Sequence, residues 1–304
     1  MSRLPGALGG PRVRGVVGTA ALFGAVQLLA VLVAPRLASS GLRYGDGGDA
    51  LLPLVLGVAF GTALSLAVAR FGVSRRAVRA VMVASVGAAL WFALSAFVGD
   101  VAGAVLAATG VGLVWFVPRP AVRNAVAVVA VAGAAGLFGA SLAPAYAAGA
   151  LVAVAAYDVY AVYGSGHMGA MADAASDLRL PSMFVVPTSD DYDDAAFTVD
   201  AGDRDGAPAR APTAAILGAG DALFPALLTS SAAVHGAAAL GDWSVEAAPS
   251  LVPVLPAPAV GALVGSFVGF AALQVLVHRR RGLHAGLPWV NGGAVAGWLA
   301  ALLL

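Results

Sequence analysis

The sequence predicts an all-helical polytopic membrane protein with about nine transmembrane helices, its N-terminus in the cytoplasm and its C-terminus outside. Three observations predict it. Of 304 residues, 60% are hydrophobic and 11% charged, against roughly 45–50% and 25% in an ordinary soluble domain. Apolar runs that match the ~20 residues a helix needs to cross a bilayer recur along the whole chain. The arginines between those runs collect on one side of the implied membrane, as they do in cytoplasmic loops. There is no cysteine, which excludes disulfides, thiolate metal sites and a cysteine nucleophile. The formal charge of +1 gives no footprint for nucleic acid.

The first run, 15–34, follows Arg3, Arg12 and Arg14 much as a secretory leader would. It is long enough to span, and more of the same follows it, so it reads as a first transmembrane helix. The others are 51–69, 80–98, 101–117, 125–142, 145–162, 213–234, 251–277 and 283–304. Runs three and four meet at Gly99 and Asp100, and runs five and six at Ala143 and Pro144, where proline suits a first helical turn. Both read as tight helical hairpins. Arg70, Arg75, Arg76 and Arg79 follow run two, Arg119 and Arg123 follow run four, and Arg279, Arg280 and Arg281 follow run eight. These clusters and the N-terminal one share a side, whereas the opposite side receives Arg36 and Arg43 offset by Asp46 and Asp49, then Asp100, Asp242 and Glu246. Trp91, Trp115, Trp289 and Trp298 lie mostly toward run ends, as interfacial aromatics do.

Three parts follow. Residues 1–163 form a six-helix membrane bundle, 164–212 an acidic cytoplasmic loop and 213–304 a three-helix part. The loop holds nine aspartates against Arg179, Arg204 and Arg210, and 189–211 has few large apolar side chains, so mobility is expected there. Its aspartate excess, in a chain whose only basic side chains besides histidine are arginines, suits concentrated salt and suggests a halophilic source.

Most of the sixteen acids lie in loops or at helix boundaries; Asp158 and Asp221 sit well inside apolar runs. A carboxylate at a helix centre costs about 2.5–3.5 kcal/mol even on the lenient insertion scale, which makes an intramembrane acid a functional candidate. With run six descending to its cytoplasmic end and run seven returning from residue 213, both acids lie roughly 6–12 Å below one surface. Facing each other there, they cannot both ionise easily and would hold one proton between them, as a pair that activates water against a carbonyl does. Gly218, Ala219 and Gly220 lead into Asp221 and would let another backbone come close. Pro225 removes the amide that would bond the Asp221 carbonyl, so a kink is expected. Tyr157 brings a hydroxyl next to Asp158.

At these residues the sequence resembles the presenilin and signal peptide peptidase family of intramembrane aspartyl proteases. Tyr157-Asp158 matches the family's YD motif, and Gly218-Ala219-Gly220-Asp221 its GxGD motif. The similarity to the archaeal branch extends through 157–163, Gly166-His167-Met168 and 180–187. Following Arg281, Ala285-Gly286-Leu287-Pro288 resembles the PALP element that opens the family's ninth helix, with its first proline and alanine replaced. Pro256-Ala257-Pro258 is a second match, in run eight and so in the wrong place. The resemblance implies nine helices with the N-terminus inside, and catalysis by Asp158 and Asp221. It further implies site-shaping roles for Tyr157, Gly218, Ala219, Gly220, Ala285, Gly286, Leu287 and Pro288. The implied activity is endoproteolysis of transmembrane segments of other proteins at the cell membrane. No cofactor is needed, and a homo-oligomer is compatible.

Other readings stand beside this one. An intramembrane acid pair also serves proton- or cation-coupled transporters, which use broken helices too; the halves of this chain share no repeated motif. A relative that only binds membrane helices is a third class. No histidine or acidic cluster has metal-ligand spacing. His167 and His235 read as interfacial. Thr229-Ser230-Ser231 lacks the glycine-flanked elbow of a serine nucleophile and reads as helix packing. Gly261, Gly265 and Gly269, four residues apart, predict a close helix contact, within the chain or between protomers.

Overall fold

The computed structural model describes residues 10–45, 48–71, 75–117, 119–164, 183–189, 192, 213–236, 255–279 and 284–304. Among these residues there are nine α-helices, a π-helical turn and two strands. The helices are α1 (Pro11–Ser40), α2 (Leu51–Phe71), α3 (Arg75–Val98), α4 (Asp100–Phe116), α5 (Pro120–Ser141), α6 (Pro144–Val159), α7 (Ala219–His235), α8 (Ala257–Arg279) and α9 (Leu287–Ala301). The π turn, Tyr160–Gly164, continues α6. Strands β1 (Met183–Pro187) and β2 (Ala214–Gly218) pair antiparallel, with Val185 opposite Ile216.

Among the described residues five segments suffice, by length and composition, to cross a membrane: Pro11–Ser40, Ala80–Val98, Pro120–Ser141, Pro144–Gly164 and Ala257–Val277. Leu51–Leu64 and Asp100–Phe116 are apolar but shorter. The end of α1 extends past its apolar run. In α1, Arg36 stays helical after Pro35 because its Nη1 donates to the Leu32 carbonyl at 2.6 Å and its guanidinium lies 4.7 Å from the centre of the Phe97 ring. α5 starts at Pro120 and α6 at Pro144, both prolines in the first turn. Gly99, at φ +81°, makes the predicted α3–α4 turn with a conformation that side-chain-bearing residues avoid.

One predicted element changes type. Run seven was expected to be helical from residue 213, but Ala214–Gly218 is a strand and the helix starts at Ala219. Its partner, β1, lies inside the segment expected to be a mobile acidic loop, whose acidic part falls outside the described residues. The hairpin is held along its β1 edge and through its core-facing side chains. Asn124 of α5 donates from Nδ2 to the Val185 carbonyl at 2.7 Å and accepts from the Val185 amide at Oδ1 at 3.0 Å. Phe184 and Leu217 enter the central core beside Phe23 and Val26 of α1, Ala127 and Val131 of α5, Ala222 and Ala226 of α7, and Phe270 of α8.

Small residues set the helix spacing. Gly265 of α8 and Gly293 of α9 each abut the other's backbone, as do Gly261 and Gly297, while Gly269 meets the Trp289 carbonyl. The predicted glycine contact is therefore intramolecular, α8 against α9. The hydroxyl run packs as predicted: Ser231 Oγ donates to the Leu142 carbonyl at 2.6 Å, Ser230 Oγ to that of Ala135 at 3.1 Å, and Thr229 Oγ1 to that of Pro225 at 3.0 Å. Pro256-Ala257-Pro258 opens α8 rather than lying within it.

Candidate active site

Asp158 is the penultimate residue of α6, buried where the helix loosens into its π turn. Such a widening shifts the side chains after it out of α-helical phase, and it is a frequent feature of functional sites. Asp221 lies in the first turn of α7, half-buried, directly after the strand. This corrects the expected depth of about eight helical residues, because five of those residues are extended.

The elements converge on the start of α9. The Leu287 amide donates to Asp158 Oδ2 at 3.1 Å. A methyl group on Gly286 would lie 3.4 Å from Asp221 Oδ1 and 3.3 Å from Leu273 Cδ2. The start of α9 thus bonds Asp158 through the Leu287 amide and turns the bare face of Gly286 toward Asp221, and the two acids are close enough for their charges to act on one another. A Cβ on Gly218 would stand 2.9 Å from Asp221 Oδ2, so the acid folds back over the strand end in space that only glycine leaves. At Gly220 an added Cβ would meet nothing nearer than the Phe224 ring, at 3.9 Å.

The other predicted residues distribute around this centre. Ala219 packs against the central core, Ala285 is buried, and Pro288 sits in the first turn of α9. Tyr157 is 44% exposed; one residue before Asp158, it points about 100° away around the helix. His167 and residues 180–182 lie outside the described residues. Among the described residues no three histidine or acidic side chains group as metal ligands.

Sequence reasoning passed over two asparagines. The chain holds only two, and both sit in apolar helices at contacts that bear on the site: Asn124 on β1 and Asn291 on α9. Their signal was available, since amides inside membrane helices are expensive in the way acids are.

Comparison with known proteins gives the family. Residues 20–304 match the family described as signal-peptide peptidase, presenilin aspartyl protease. The chain belongs to that family. It is an aspartic endopeptidase of the presenilin kind. Two solved structures of a presenilin family intramembrane aspartate protease have the same fold, each 23% identical over 94% of this chain. The one in space group C222 gives a TM-score of 0.64 over 98% of its length, the one in space group P2 gives 0.62 over 96%. No curated protein matches the chain.

Proposed function

We propose that this presenilin-family chain cleaves peptide bonds within transmembrane segments of other proteins, with Asp158 and Asp221 as its catalytic pair. The observation that carries the reading is the meeting of both carboxylates at Gly286 and Leu287, from two different helices. Water held between the acids attacks the substrate carbonyl. The ionised carboxylate takes a proton from that water, and the protonated one donates its proton to the carbonyl oxygen as the tetrahedral intermediate forms. Collapse of the intermediate breaks the C–N bond, and the departing nitrogen is protonated.

A helical substrate hides its carbonyls in its own hydrogen bonds, so it must unwind before attack. The sheet offers a partner for the unwound chain. Both backbone groups of Val185 go to Asn124, so the Val185–Ile216 pair is of the kind that exchanges no hydrogen bonds. The Ile216 amide and carbonyl therefore point to the outer edge of β2, where an extended segment can add as a strand. From Ile216 that edge leads to Gly218, beside Asp221. The Leu287 amide, at the head of α9, is already spent on Asp158.

The same reading includes nine membrane crossings with the N-terminus cytoplasmic, in the cell membrane of a halophile of the archaeal branch. Cleavage of a tagged single-span peptide by purified protein in detergent at high salt is the test. Wild type should form product, and Asp158→Asn and Asp221→Asn should each form none while remaining folded. Uncut peptides with a well-folded wild type, together with ion-coupled uptake in proteoliposomes, would overturn the reading in favour of transport.

A further inference from the structure

We propose that Asn291 is a positioning residue, which fixes the register of α9 along α6 and so keeps the Leu287 amide on Asp158. The inference rests on the protease reading for its catalytic consequence, but its structural half stands on the contacts alone. Asn291 is 1% exposed, and its Nδ2 donates to the Leu151 carbonyl at 3.1 Å. One turn earlier on α9, the Leu287 amide bonds Asp158, which lies two turns beyond Leu151 on α6. The helices run in opposite directions. The Leu151 carbonyl points along α6 toward Asp158, and the Asp158 side chain leans back toward Leu151, so the two donors of α9 meet two acceptors of α6 at matching levels.

Without that amide, the α6-facing stripe of α9 carries no register information. Leu287, Ala294 and Trp298 recur at helical spacing and pack on an apolar cluster built from Leu151, Phe224 and Leu227. Apolar stripes of this kind accept a slip of one turn, about 5.4 Å, whereas a single buried asparagine fixes register at some cost in stability. The cost is visible here: Asn291 Oδ1 is buried with no hydrogen-bond partner among the described residues. Leucine, of similar size, would fill the site without that orphan acceptor, so packing is not what the amide supplies. The glycines of α9 do not supply register either, because Gly293 and Gly297 repeat at the same four-residue interval as Gly261, Gly265 and Gly269 opposite them, and a slip of one turn would set glycine against glycine again.

Two readouts test the proposal in the full-length protein. The first is kinetic: Asn291→Leu should lower kcat by about 10²-fold, the scale of a misplacement of about 1 Å, with KM within twofold and thermal stability unchanged or raised. Asn291→Gln, which keeps an amide donor, should recover part of kcat. Wild-type kcat in Asn291→Leu, or a loss that tracks a fall in Tm, overturns it. The second needs no activity. The chain has no cysteine, so spin labels at Val152→Cys of α6 and Leu299→Cys of α9, both exposed, report the α6–α9 register directly. Asn291→Leu should broaden or shift that distance distribution by up to about 5 Å, one turn; an unchanged distribution overturns the proposal. A wild type that holds the distance but never cleaves would sink the protease reading instead.

Discussion

Replacing Gly265 by alanine tests how the site depends on a helix contact outside it. An added methyl would stand 2.9 Å from the Gly297 Cα and nearer still to the Gly293 carbonyl oxygen. Both are backbone atoms of α9, so no side chain can turn aside. Restoring ordinary carbon contact of about 3.5–4.0 Å moves α9 away from α8 by roughly 1 Å. The Leu287 amide at the head of α9 is 3.1 Å from Asp158 Oδ2, and a displacement of that size takes it to the limit of hydrogen bonding or past it. The expected result is a stability loss of about 1–3 kcal/mol from overpacking, with kcat lowered roughly 10- to 100-fold. Gly292→Ala is the matched control: it makes the same change on α9 where a methyl meets nothing within 4 Å. It should keep full activity and gain about 0.5–1 kcal/mol from helix propensity. Peptide-cleavage kinetics and thermal unfolding in detergent measure both variants. Equal activity in Gly265→Ala and Gly292→Ala would refute the claim that the α8–α9 spacing sets the site.

Asn124→Ala should cost about 1–3 kcal/mol for each backbone group it orphans on buried Val185, and a protease nick near the hairpin, followed by gel, should appear sooner than in wild type. Ser231→Ala should cost about 0.6 kcal/mol, up to 1.7, for one interhelical hydrogen bond, with cleavage kinetics unchanged; abolished cleavage would revive the hydroxyl run as a nucleophile. Ile216→Pro removes an amide that faces the outer edge of β2 and leaves the hairpin bonds in place. It should raise KM or abolish cleavage of membrane peptides while the helical circular dichroism spectrum stays as in wild type.

Where side chains meet lipid or a single neighbouring helix, the sequence was easy to read. The runs that became α1 to α6, α8 and α9 are apolar along most of their length; Arg36, Arg75 and the first-turn prolines of α5 and α6 carry helices past the ends of their runs, whereas α8 and α9 begin later than theirs. The two aspartates and the glycines before Asp221 were legible because polar and small residues are conspicuous in such runs. The hairpin was not. Ala214–Gly218 is short and apolar, and a run of that length has no period that separates strand from helix. The better signal lay in its partner, where Phe184-Val185-Val186 stands between Pro181 and Pro187, a β-branched stretch with proline punctuation. Nor could the sequence set the depth of Asp221, since an extended residue advances about 3.3 Å and a helical one 1.5 Å.

On the protease reading proposed above, the hairpin also acts as a ruler. Its outer edge lies at a fixed height relative to the helices that hold it, by way of Asn124 on one side and the core around Phe184 on the other. A foreign segment that docks there is measured from the membrane border before its side chains are compared. Peptides of unrelated sequence should accordingly be cut at a common distance from the point where they enter the lipid. Lengthening a substrate by one residue on the border side should move the scissile bond by one residue, with its chemistry unchanged.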